Sequence, residues 1–152
     1  MDFADHILLA TDFSEPSERA ADAAAVLAEQ LGAKVTLLHS FDPDPLVPPG
    51  AIPKPQEFRE KITKEMTEAI RTRLEELRRT RLARAKDVDI AVVTHRSPAT
   101  AIVEHAKEIG ADLIIVATSG RTGLSHLLIG SVAEKVVRHA HCPVLAVRIP
   151  KD

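Results

Sequence analysis

The chain has 152 residues, 45% hydrophobic and 28% charged, with a formal net charge of −2. These figures fit a single soluble globular domain over residues 1–152 and give no overall basic field for a nucleic-acid partner. With no Trp, no Tyr and four Phe, base-stacking platforms are scarce, and no apolar run approaches the roughly 20 residues that span a bilayer.

"HILLAT" (His6 to Thr11) is a short apolar run that reads as a buried strand. In "DFSEPSERAADAAAVLAEQLG", Ser14 is placed to cap a helix with Glu15 and Pro16 in its first turn. Ala20, Ala24, Leu27 and Leu31 recur at helical spacing, and Gly32 can close it. "KVTLLHSF" (Lys34 to Phe41) predicts a second strand. Asp42 to Pro55 holds six of the ten prolines and reads as an irregular loop.

Gln56 to Ala85 predicts a long helix with Phe58, Ile62, Met66, Ile70, Leu74 and Leu77 on one face. Its last part, "RTRLEELRRTRLARAK", carries six Arg and one Lys against two Glu. That composition reads as a solvated face with Glu–Arg pairing rather than a polyanion site. "DVDIAVVTHR" predicts a third strand. Ser97 and Pro98 open a helix with Ile102, His105, Ala106 and Ile109 on its inner stripe, and Gly110 ends it. "DLIIVATS" predicts a fourth strand, Ser131 to Ala140 a helix, and "PVLAVRI" (Pro143 to Ile149) a fifth strand. Strict β-α alternation with near-continuous apolar strands predicts a parallel sheet covered on both faces. The residues alone leave strand orders 3-2-1-4-5 and 2-1-3-4-5 open.

Between the fourth strand and the last helix lies "GRTGLSHLLIGS" (Gly120 to Ser131), with three of the chain's six glycines. Glycines let backbone N–H groups approach an anion, and a helix amino end favours phosphate. By spacing alone, Gly120 and Gly123 are either turn residues or part of a phosphate cradle, and Ser131 is either an N-cap or a phosphate donor. Neither G-x-x-x-x-G-K-[ST] nor G-x-G-x-x-G is present. Asp12, leaving the first strand, is suited to a ribose or base edge, or to a divalent cation beside phosphates. His39 and His105 read as interior or boundary histidines, Thr122 and Ser125 as loop polars, and Cys142 as a structural thiol. The histidines show no zinc-ligand spacing, and the lone cysteine fits a reducing cytoplasm.

"GRTGLSHLLIGSVAEKVVRHAHCPVLAVR" resembles the C-terminal signature of the universal stress protein family, and "ILLATDFSEPSERA" resembles its first strand and loop. The resemblance covers essentially the whole chain. It implies a stress-response or regulatory module that binds ATP, or ADP or AMP, with Mg²⁺ or Mn²⁺. The expected fold is α/β: a single-domain Rossmann-like open parallel five-stranded sheet of order 3-2-1-4-5. The pattern of the ATP-binding branch is G-x2-G-x9-G-[S/T]. Gly120, Gly130 and Ser131 satisfy its later positions, whereas Ala117 stands at the first glycine and Ser40 is a smaller departure on the second strand. The resemblance further implies that Ala10, Thr11 and Asp12 lie by the nucleotide and that Val116 lines its base or ribose side. Gly120, Arg121, Gly130, Ser131 and Val132 would meet the phosphates. It also implies a homodimer through strand 5, which as an apolar edge needs cover. The alternatives are a slow ATP hydrolase, for which no general base other than Asp12 is apparent, and a nucleotide-free dimeric interaction protein.

Overall fold

The computed structural model describes residues 3–46, 55–118 and 129–149. Its elements alternate along the chain: β1 (His6–Ala10), α1 (Glu15–Leu31), β2 (Lys34–Phe41), a 3-10 turn (Asp44–Leu46), α2 (Pro55–Arg81), β3 (Val88–Thr94), α3 (Pro98–Ile109), β4 (Leu113–Ala117), α4 (Ser131–His139) and β5 (Val144–Val147). The strands form one parallel sheet of order β3-β2-β1-β4-β5. This is the Rossmann-like arrangement expected from the sequence, with the 3-2-1-4-5 order now decided.

Strand alternation splits the core in two. Ile7, Leu9, Val35, Leu37, Leu113 and Ile115 face α1 and α2. Leu8, Leu38, Ile114 and Val116 face α3 and α4 with Ile102, Ala106, Ala133 and Val136. Because both faces are covered, the central strands carry apolar residues at consecutive positions. On α1, Ala20, Ala21, Ala24, Ala25 and Ala28 are all buried, and these small side chains allow the helix to lie close to the sheet.

The predicted caps form. The Ser14 hydroxyl accepts from Ser17 N–H and the Ser97 hydroxyl from Thr100 N–H. Gly32 and Gly110 both close their helices at φ 67°, in the left-handed region where a side chain is strained.

Two expectations change for α2. The helix ends at Arg81, four residues before Ala85; Leu82 is buried, and Ala85 N–H bonds back to Leu82 O at 3.0 Å to close a turn. Of the predicted apolar face, Ile70, Leu74 and Leu77 are buried, while Phe58 is 38% exposed. A helix of 27 residues is about 40 Å long, against about 23 Å for the seven-residue β3. Only its second half can lie on the sheet. The basic stretch is largely paired: Arg78 with Glu75, Arg79 with Glu76, Arg81 with Glu18 and Asp22, and Arg84 with Glu29.

At the amino end of the sheet, His6 Nε2 lies 2.7 Å from Thr36 Oγ1. Burial, and then the Lys34 charge, push the His6 imidazole below its ordinary 6.5. The unfolded chain therefore takes up this proton at a higher pH than the folded chain does. The associated stability is present above 6.5 and is lost as pH falls through the folded-state value. Denaturation midpoints are expected to fall between pH 7.5 and 5, and His6→Gln to shrink that fall. An unchanged pH profile in the variant would assign the dependence elsewhere.

Candidate functional site

The chain runs β1-β2-β3 in one direction and returns to place β4 and β5 on the other side of β1. The carboxyl ends of β1 and β4 therefore diverge, and such a reversal opens a crevice in parallel sheets. A cavity of about 300 Å³ occupies it. Ala10, Thr11 and Asp12 border it from β1, Leu38, His39 and Ser40 from β2, and Val116, Ala117 and Thr118 from β4. Pro98 and Ile102 of α3 close one side, and Gly130, Ser131, Val132 and Ala133 bring the amino end of α4 to the other.

The loop after β1 is tied by its own polar groups. Thr11 N–H bonds Leu38 O at 2.9 Å, and Thr11 Oγ1 donates to Ser17 Oγ at 3.0 Å while accepting from Phe13 N–H at 3.0 Å. The Asp12 carboxylate accepts from Ser14 N–H at 3.0 Å and from the Ser14 hydroxyl. Asp12 is thus held at the head of α1, where the helix dipole favours negative charge. His39 Nδ1 lies 2.8 Å from Thr11 O, and since a carbonyl only accepts, this nitrogen carries the proton.

At α4 the cap position is Gly130 (φ −57°, ψ 154°), without a side-chain capping bond. Ser131 is the first helical residue, so its hydroxyl does not act as the N-cap. Gly130 N–H donates to Thr118 O, stapling the end of β4 to the start of α4, and Glu134 N–H to Gly130 O opens the helical ladder. The N–H groups of residues 131–133 precede that ladder and are the orphan donors of a helix start. Together with the Ser131 hydroxyl they form an anion-favouring end beside a mostly apolar chamber.

Ala117, the departure from the glycine pattern, has a simple geometry. Its side chain packs with the α1/α2 cluster, as Val147 does, whereas Ala10, Leu38, Ile102, Val116 and Ala133 belong to the α3/α4 side. Phe13 is the only non-glycine residue at positive φ among the described residues, so Ala117 has no left-handed strain that a glycine would relieve. Its methyl group packs on the α1/α2 side of the sheet, although the residue also borders the cavity.

Nine of the eleven residues expected at a nucleotide site border this cavity: Ala10, Thr11, Asp12, Ser40, Val116, Ala117, Gly130, Ser131 and Val132. Gly120 and Arg121, with Thr122, Gly123 and Ser125, lie outside the described residues. The sequence reading missed Ser17, Leu38, His39, Pro98, Ile102, Thr118 and Ala133. Pro98 and Ile102 were legible only as helix start and core stripe. Among the described residues no three His, Cys, Asp or Glu side chains cluster as a metal cage. Burial pushes the Cys142 thiol up, with Asp112 adding to it, which disfavours the thiolate.

The model of the universal stress protein family matches residues 4–148. The chain belongs to the universal stress protein family. The universal stress protein MJ0531 of Methanocaldococcus jannaschii is 36% identical over 146 residues, covering 95% of this chain and 82% of that protein. A universal stress protein of Thermus aquaticus is 34% identical, covering 93% of this chain and 97% of its own. Among solved structures, MJ0577 superposes with a TM-score of 0.81 at 28% identity, with full coverage of both chains. A universal stress protein solved in complex with cAMP superposes at 0.70 with 27% identity, covering 95% of this chain and 97% of that one. Like these relatives, the protein is a universal stress protein with a stress-response assignment at family level, and no helix among its described residues is long and apolar enough to cross a membrane.

Proposed function

We propose that this universal stress protein binds an adenine nucleotide, ATP or its ADP and AMP forms, as a regulatory module of the cytoplasm. The observation that carries the reading is the juxtaposition in one cavity of an apolar chamber, the Asp12 carboxylate and the amino end of α4. The chamber suits a base and ribose, Asp12 suits ribose hydroxyls, and the α4 amides with Ser131 suit phosphate. The cAMP complex of a similar protein supports an adenine nucleotide as the ligand class. Gly120 and Arg121 complete the proposed phosphate contacts. Mg²⁺ or Mn²⁺ accompanying the nucleotide would be held largely by phosphate oxygens, with Asp12 as the protein's carboxylate for it.

Calorimetric titration of the chain with ATP and Mg²⁺, and separately with adenosine, tests the reading. Saturable heat with both ligands is expected, larger in affinity for ATP. No binding of either would overturn it.

The proposed assembly is a homodimer through β5, in the stretch Pro143 to Ile149. β5 is the outer strand of the described sheet. It carries Leu145, 37% exposed, and pairing with a second β5 across a two-fold axis would cover this apolar edge. Light scattering at tens of micromolar is expected to give twice the monomer mass. A monodisperse monomer would refute the dimer.

A further inference from the structure

Phe13 is an unlikely residue for its backbone. At φ 64° it occupies the left-handed region, where a bulky L side chain is disfavoured. Such strain persists only where the surroundings over-determine it. Part of that determination is the hydrogen bonding of the β1–α1 loop described above. The rest comes from the ring itself. One neighbour is the His39 imidazole, with centroids 4.6 Å apart and planes tilted by 38°. The Arg73 guanidinium lies over the Phe13 ring, 3.9 Å from its centroid, within cation–π range. His39 in turn holds the Thr11 carbonyl. Arg73, on the exposed side of α2, is thereby linked through Phe13 and His39 to residues 11 and 12 at the cavity, although it does not border the cavity itself.

We propose that the Arg73–Phe13–His39 stack is a positioning device that holds the β1–α1 loop in the conformation presenting Asp12 to the cavity. Arg73 is then a positioning residue for the ligand, acting from the surface of a helix outside the site. The role assigned to Asp12 rests on the adenine-nucleotide reading. The loop conformation itself does not.

The test separates positioning from simple attraction of a cation for phosphate. Adenosine and ATP with Mg²⁺ are titrated into the full chain, Arg73→Ala, Arg73→Lys, Phe13→Gly and the Phe13→Gly/Arg73→Ala double variant. Glycine tolerates the left-handed φ, so the loop can still close once the ring is gone. Positioning predicts that Arg73→Ala weakens adenosine and ATP alike, by about two- to fivefold. Arg73→Lys, which keeps a cation over the ring, should recover most of the loss, and Arg73→Ala should have no further effect in the Phe13→Gly background. A loss confined to ATP would mean that Arg73 acts on phosphate through space, and an unchanged affinity for both would mean that it does not act on the site. Either result overturns the proposal. Amide hydrogen exchange without ligand supplies the independent readout. The N–H groups of Phe13 and Ser14, bonded to Thr11 Oγ1 and Asp12 Oδ1, should exchange about two- to fivefold faster in Arg73→Ala, while Ala101 N–H, bonded to Ser97 O at the head of α3, keeps its rate. If the unmodified chain binds neither ligand, the nucleotide reading fails, and exchange alone decides the stack: faster loop amides support it, and unchanged ones overturn it.

Discussion

Ile115→Ala is expected to lower the free energy of unfolding by about 2–5 kcal/mol. Ile115 is fully buried at the middle of β4, in register with Leu9 of β1 on one side and Leu145 of β5 on the other. Its side chain packs into the α1/α2 cluster against a helix face built of alanines. Alanines have no longer side chain to swing into a cavity, so α1 can help refill the space vacated by Ile115 only by moving its backbone, and the site belongs toward the costly end of the range. Against a total stability of about 5–15 kcal/mol for a domain, the loss is a large fraction. The chain has no Trp or Tyr, so the measurement is urea unfolding followed by far-ultraviolet circular dichroism. Glu65→Ala, at an exposed position of α2 away from β5, is the control and should shift stability by no more than about 0.5 kcal/mol. A loss below about 1 kcal/mol for Ile115→Ala would show that α1 closes over the gap, contrary to the packing argument.

The strands and most helix ends were legible because their signals are local. Apolar runs, Ser14 and Ser97 as caps, and Gly32 and Gly110 as stops act within a turn of where they stand. The strand order was not legible from the residues, because the β1–β4 neighbour relation joins segments about a hundred residues apart and no periodicity encodes it. The end of α2 was misread because the apolar and basic pattern continues past Arg81 into a turn that buries Leu82, and tertiary burial of that leucine outweighs helix propensity. At the site, a motif reading counts positions along the chain but not the face each Cβ takes. It therefore marks Ala117 only as a departure and leaves open where its methyl lies, although strand alternation alone, with Val116 on one face and Ala117 on the other, could have assigned that methyl to the α1/α2 side. The motif also contained nothing that would mark Pro98 or Ile102, which reach the cavity from a helix whose sequence signals concern only its own start and core stripe.

Ser131→Pro is the sharpest test of where phosphate would sit, because helix physics predicts a fold-neutral change. The first helical position suits proline: its ring fixes a helical φ, and the N–H it lacks has no partner in the helical ladder. The preceding residue must then be extended, and Gly130 already is, at ψ 154°. The Gly130 N–H bond to Thr118 O and the Glu134 N–H bond to Gly130 O use groups that the substitution leaves in place. Stability is thus expected to stay within about 0.5 kcal/mol or to rise. For a phosphate at the α4 amino end the change is severe, since it removes the Ser131 N–H and hydroxyl together. Hydrogen bonds to a charged group contribute about 1.5–3 kcal/mol each. The expected result is a loss of at least about tenfold in affinity for ATP, with adenosine affinity within about twofold of the unmodified chain. Ser131→Ala, which keeps the amide, should fall between the two. Equal affinity of Ser131→Pro and the unmodified chain for ATP would move the phosphates away from α4. A parallel loss for adenosine would mean that Ser131 shapes the nucleoside chamber, placing the whole ligand deeper under α4 than the helix-end argument requires.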